Sequence, residues 1–294
     1  MFSFHPLTTS IGAEVRECEL STAGPRDADT LKKALGRYHV LFFRDQFLTL
    51  SAQKHLTSLL GPLLGLPYVT AMEGEPQVIR VLKEGDEAGG VFGGDWHQDF
   101  SFLATPPRGS VLSAIDVPPI GGDTLWISQI AAFEALAIPL QELLRGRAAV
   151  HVGKPYGAKW APPVEEQAGG SIKMSRGDPS ADQERLHPAV LRDPTTGREG
   201  LFLNPTYVTR LEGMTEAASR PFLEEIQKHA SRPEFTCRWR WQKGDLVIWD
   251  NLFTQHFAVN DYFGHRREMW RTTFGGATPT DLAAGATGRT KDTI

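Results

Sequence analysis

From residue 77 onward the chain is a succession of short apolar runs separated by turn residues, a pattern that points to a layered antiparallel β fold. Val78–Leu82, Gly109–Val117, Asp123–Ser128, Ala148–Val152, Gly200–Leu203, Phe235–Trp241, Asp245–Trp249 and Met269–Phe274 each read as a strand. Alternation is strict in Thr236–Trp241: Cys237, Trp239 and Trp241 face one way, and Thr236, Arg238 and Arg240 the other. A strand of that kind has one buried face and one wet face. Helical periodicity interrupts the set at Ile130–Leu144 and at Glu216–Ser231, where Phe222, Ile226 and His229 share a face. The expected architecture is mainly β with helical decoration, a sandwich or jelly roll.

The first part of the chain reads as a small mixed preface. Ala28–Tyr38 is expected as an amphipathic helix with Leu31, Leu35 and Tyr38 at helical spacing. His39–Phe43 follows as a buried strand, and a second helix opens at Ser51 with Leu56, Leu59 and Leu60 as its apolar face. Residues 156–183 are rich in Gly, Pro, Ser and charge; so long a connection is expected to be a lid, or else a plain surface loop. All 294 residues are expected to form a single domain, with its jelly-roll core at about 77–276.

Charge and cysteine usage narrow the function classes. The formal net charge of -4, with no run of one sign, leaves no basic stripe for nucleic acid. No apolar stretch is long enough to cross a bilayer, and the opening residues lack a secretory pattern. Cys18 and Cys237 have no metal-type spacing and read as two reduced thiols, so the cytoplasm is the expected compartment.

Two stretches carry chemistry. In Asp95-Trp96-His97-Gln98-Asp99, extended backbone would turn His97 and Asp99 to the same side, giving one imidazole and one carboxylate of a facial triad. Alone the triplet is weak, since a histidine hydrogen-bonded to a nearby acid accounts for it as well. The second stretch is Trp249-Asp250-Asn251 with Thr254-Gln255-His256, followed by Arg267. A sandwich can bring His256 beside His97, and a guanidinium fork such as that of Arg267 suits the distal carboxylate of a chelating keto acid.

Taken together, Trp96-His97-Gln98-Asp99, Gly121-Gly122-Asp123-Thr124-Leu125-Trp126, Trp249-Asp250-Asn251 and Thr254-Gln255-His256 with Arg267 and Arg271 resemble the taurine dioxygenase family. This group of iron(II)- and 2-oxoglutarate-dependent oxygenases includes the phenoxyacetate herbicide dioxygenases. The resemblance runs from Ile11-Gly12-Ala13-Glu14-Val15 to about Phe274. It implies a double-stranded β-helix, with His97, Asp99 and His256 as iron ligands and Thr124 and Arg267 on 2-oxoglutarate. It also implies Arg271 on the substrate anion, O2 as the oxidant, and a homodimer or homotetramer.

The substrate pocket departs from the taurine enzyme. Leu66-Pro67-Tyr68-Val69 stands where that enzyme has a histidine for the sulfonate, and glycine within Phe92-Gly93-Gly94-Asp95 replaces an asparagine. Leu66 offers no hydrogen bond to a desolvated sulfonate, so a larger or more apolar organic acid is expected, as a sulfonate, sulfate ester or carboxylate. Tyr68, Phe100, Tyr156, Tyr207 and Trp270 are the expected walls. The aspartate at position 99 favours hydroxylation over halogenation, because halogenases of this kind carry a small residue there. Two other readings use the same three ligands: a zinc hydrolase, and a metal-binding jelly roll that serves as a sensor or scaffold.

Overall fold

In Val40–Phe43 every side chain is buried, which a strand tolerates only with apolar layers on both faces. In the computed structural model, which describes residues 2–160, 172–276 and 278–284, Val40 and Phe42 enter one core cluster while Leu41 and Phe43 enter another. Leu246–Asp250 pairs antiparallel with this strand and divides the same way, Val247 and Trp249 to one side, Leu246 and Ile248 to the other.

These two strands lie in the middle of an eight-stranded sheet. From one edge it runs Ser3–Pro6, Ala13–Arg16, Val40–Phe43, Leu246–Asp250, Gly109–Asp116, Arg267–Phe274 and Leu63–Leu64; Val78–Lys83 also pairs with Arg267–Phe274. Three N-terminal strands thus belong to the main sheet, and the preface is part of the core layer rather than an appendage to it. Helices Pro25–Tyr38 and Leu50–Leu60 cover the outer face, burying Leu31, Leu35, Leu56 and Leu60 there.

A three-stranded sheet, Thr236–Trp239, Thr124–Ser128 and Thr254–Ala258, faces the inner side of the large one, completing the jelly roll. Between them Trp126, fully buried, sits edge-on to Phe42 at 5.3 Å and 6.2 Å from Trp249. The alternation read in Thr236–Trp241 holds: Cys237, Trp239 and Trp241 are buried, Arg238 and Arg240 exposed. A second three-stranded sheet and a two-stranded one flank this layer, and helix Glu216–Ala230 packs on them.

Three expectations about elements change. The single helix expected over Ile130–Leu144 is two, Gln129–Glu134 and Ile138–Leu144; Pro139, with no N–H to bond back to the preceding turn, sits in the first turn of the second, where that donor is not needed. The second helix is capped by Thr49, whose Oγ1 accepts from Ala52 N at 3.2 Å, not by Ser51. Thr254–Ala258, absent from the expected strands, is a full strand in register with Thr124–Ser128. Among the described residues no helix is long and apolar enough to cross a membrane, and both cysteines are free.

Candidate active site

His256 lies on the inner face of its strand, opposite Trp126. His97 approaches from a separate segment and joins it through a reciprocal pair of backbone bonds, His97 N to His256 O at 3.2 Å and His256 N to His97 O at 2.9 Å. Asp99 completes the group, with Oδ1 3.5 Å from His97 Nε2 and Oδ2 3.9 Å from His256 Nε2. All three residues are buried, and their donor atoms lie within 4.8 Å of one another. Ligands at right angles about an ion at ~2.1 Å would be about 3 Å apart, so small side-chain adjustments suffice to close the set on a metal.

The surroundings hold each donor in its ligating form. His97 Nδ1 meets Asp95 O at 2.7 Å, which assigns the proton to Nδ1 and turns Nε2 inward. Burial and the neighbouring His97 hold His256 well below the usual imidazole range, so it is neutral. Burial works against ionisation of Asp99, yet the charge of Arg271, whose Nη1 donates to Oδ1 at 3.0 Å, keeps its carboxyl well below the ordinary range. Asn251 fixes the aspartate's backbone: its Oδ1 accepts from Asp99 N at 2.6 Å, and its Nδ2 donates to Asp99 O at 2.9 Å and to Pro107 O at 3.0 Å. No role had been expected for Asn251; the Trp-Asp-Asn motif marked the place without showing what it touches.

Arg267 and Arg271 leave strand Arg267–Phe274 on the inner face, four residues apart, and both are 4% exposed. Arg267 Nε donates to Gly122 O at 3.2 Å, and Gly122 N donates to Asp261 Oδ1 at 2.7 Å, so the Gly121-Gly122 turn orients the guanidinium. Gly122 is left-handed at φ 69°, and a Cβ there would lie 3.2 Å from Arg267 Cδ. Thr124 Oγ1 accepts from Trp241 Nε1 at 3.0 Å, which leaves its own hydrogen free to donate. Thr124, Arg267, Arg271, His97 and His256 line one pocket between the two sheets.

Arg271 Nη1 donates to Asp99 Oδ1 at 3.0 Å, while its Nε and Nη2 are buried without a hydrogen-bond partner among the described residues. Two such donors aimed at a pocket call for an anion. A second cavity, about 170 Å³, opens beside His97 and Asp99; Tyr156 and Tyr207 line it. Gly93 lies at their edge at φ 78°, where a Cβ would stand 3.1 Å from His97 Cε1, so a larger residue there would crowd the histidine. The larger cavity near helix Glu216–Ala230, about 550 Å³, is lined by none of the triad residues.

The expected walls need correction. Tyr68 and Phe100 do not line the cavity; they stack on Tyr156 at 5.3 and 5.7 Å and support it from behind. Trp270 is not a wall at all. Side chains alternate along a strand, so with Arg271 facing inward Trp270 faces out, where its Nε1 donates to Glu268 Oε1 at 3.0 Å. Of the expected 156–183 lid, residues 161–171 lie outside the described residues; residues 172–175 pair with the segment around Val69, placing Met174 and Arg176 at the cavity.

Comparison with known proteins agrees with this geometry. The profile of the family described as taurine catabolism dioxygenase TauD, TfdA family matches residues 3–273. An alpha-ketoglutarate-dependent sulfate ester dioxygenase of Pseudomonas putida is 35% identical, over 95% of this chain and 91% of its own. An alkylsulfatase of Acinetobacter baylyi is 34% identical, over 97% of this chain and 88% of its own. Among solved structures, a putative alpha-ketoglutarate-dependent taurine dioxygenase from Burkholderia xenovorans superposes with a TM-score of 0.79 at 29% identity, covering 97% of both chains.

Proposed function

The chain belongs to the TauD, TfdA family of taurine catabolism dioxygenases, and on that premise we propose that it oxidises an alkyl sulfate ester. It is a 2-oxoglutarate-dependent dioxygenase, and therefore an oxidoreductase. One observation carries the reading of the site: two buried arginines on one strand flank a His-Asp-His cluster, one for each of two anions.

The donor set fits iron(II), with two neutral imidazoles and one carboxylate on one side of the ion and the other positions open. His97, Asp99 and His256 hold the metal. Arg267 takes the distal carboxylate of 2-oxoglutarate through its fork, and the Thr124 hydroxyl donates to the same group. Arg271 turns its free Nε and Nη2 to the substrate's anionic head. When bound, iron(II) and 2-oxoglutarate supply the oxidation: one dioxygen is consumed, the keto acid leaves as succinate and carbon dioxide, and one substrate C–H becomes C–OH.

The protein contributes position and dryness. Anchoring the sulfate at Arg271 sets the adjoining carbon next to the triad, and Phe92, Tyr156 and Tyr207 exclude water around it. Hydroxylation of the carbon that bears the ester oxygen gives an unstable adduct, which collapses to an aldehyde and inorganic sulfate. Leu66 and Phe92, half-buried against the inner core, favour an alkyl remainder over the ammonium end of taurine. Ester hydrolysis at zinc, or a scaffold role, would leave Arg267 and Thr124 without work.

Iron-loaded protein given hexyl sulfate, 2-oxoglutarate and air is expected to release sulfate and succinate in equal amounts, with hexanal as the organic product. Sulfate released without succinate, and unaffected by removing oxygen, would overturn the proposal in favour of hydrolysis.

A further inference from the structure

The substrate cavity carries a second cation that no part of the proposed chemistry uses. Arg176 stands at the cavity of Tyr156 and Tyr207, half-buried, and makes no ion pair with any described residue. Its backbone is tied on both sides: Ser175 N donates to Tyr68 O at 2.8 Å, Thr70 N to Lys173 O at 2.9 Å, and Asp178 N to Tyr156 O at 2.9 Å. Arg176 is therefore placed by an ordered strap, not by a loose surface loop.

The Tyr156 hydroxyl links this cation to the reaction centre. Tyr156 and Arg176 line the same cavity as Asp99, whose Oδ1 accepts from Arg271 Nη1 at 3.0 Å. Burial pushes Tyr156 up to about 12 and Tyr207 well above the usual phenol value, so both hydroxyls keep their protons at neutral pH. Arg176 and the Tyr156 phenol thus face one cavity, and Arg271 lines the adjoining pocket, which shares Phe92, Gly93 and His97 with it.

We propose that Arg176 determines specificity by taking the outermost oxygen of a tetrahedral sulfuryl head, while Arg271 and the Tyr156 hydroxyl take the other two. The inference rests on the function proposed above and names what selects its head group. A sulfate ester or sulfonate presents three terminal oxygens directed apart. A carboxylate presents two in one plane, which Arg271 and Tyr156 satisfy between them, leaving nothing for Arg176. Arg176 therefore favours sulfate esters and sulfonates over carboxylates of the same chain length.

The test is calorimetric titration of anaerobic protein, loaded with iron(II) and 2-oxoglutarate, with hexyl sulfate and with heptanoate. Wild type is compared with Arg176→Gln and Arg176→Lys. Arg176→Gln should weaken hexyl sulfate about tenfold, the loss expected for a half-exposed charge-assisted hydrogen bond, and heptanoate by less than about threefold. Arg176→Lys should fall between, and the affinity for 2-oxoglutarate should not move. Unchanged hexyl sulfate binding in Arg176→Gln would overturn the inference and leave the function standing. Equal weakening of both anions would also overturn it, showing a general attraction without selection. Wild-type protein that binds neither anion would overturn the inference together with the proposed function.

Discussion

On the proposed function, the two arginines of strand Arg267–Phe274 have different work although both are buried and four residues apart. Burial lowers the Arg267 guanidinium from its usual value, so an anionic partner is strongly favoured there. Arg267→Lys keeps a charge but loses the fork; the apparent affinity for 2-oxoglutarate should fall about 10- to 100-fold, read by titrating the chelate's visible absorption. Asn251→Ala removes both contacts to the Asp99 backbone and should weaken iron(II) binding by roughly 10- to 100-fold with the fold intact, measured by metal titration. The proposed metal ligands were legible in the sequence because their motifs are local. The role of Asn251 was not, because its partners lie about 150 positions away in the chain. The error at Trp270 was avoidable: strand parity with Arg267 and Arg271 already placed it on the opposite face.

Elements were legible where one short segment carried its own environment. The strict alternation of Thr236–Trp241 and the fully apolar Val40–Phe43 announce one buried face and two. Ser3–Pro6, Leu63–Leu64 and Arg185–Pro188 went unread because they are short and, in two cases, contain proline; their pairing is decided by neighbours far along the chain. Helix Pro25–Tyr38 ends on His39, which is left-handed at φ 62° and buried with both ring nitrogens unpartnered among the described residues. Burial holds His39 down at about 4, against 6.5 for a free imidazole. Between those values the unfolded chain binds the extra proton, so stability is complete above pH ~6.5 and is lost as pH falls toward 4, by roughly 3 kcal/mol in all. Asp250, pushed up by burial to about 6, has the opposite slope in part of this window. His39→Asn, which keeps a residue at ease in the left-handed region, should therefore lose less stability than wild type between pH 6.5 and 4.5 in urea titrations. Equal losses would show that His39 is not the titrating group.

At the scale of the molecule, the sandwich is held by the same inner layer that shapes the site. Trp126 touches the large sheet through Phe42 and Trp249 and also lines the pocket of Thr124, Arg267 and Arg271. Trp126→Ala should cost about 3–5 kcal/mol in urea unfolding and loosen keto-acid binding with it. Ile120→Ala, at a 69% exposed position, should change stability by less than about 0.5 kcal/mol. The jelly roll was legible as a class from its many short strands, but the membership of Ser3–Pro6, Ala13–Arg16 and Val40–Phe43 in the large sheet was not, since only the pairing of Val40–Phe43 with Leu246–Asp250 places them there.

The central claim is that His97, Asp99 and His256 hold iron(II) while Arg267 holds 2-oxoglutarate. Its most direct test is the visible absorption of anaerobic protein titrated with iron(II) and then 2-oxoglutarate, in wild type and in Asp99→Ala. Wild type should develop the weak charge-transfer band of the chelate at one iron per chain, and Asp99→Ala should develop none at the same concentrations. A band of equal intensity and equal iron affinity in the two proteins would contradict the assignment of the metal site.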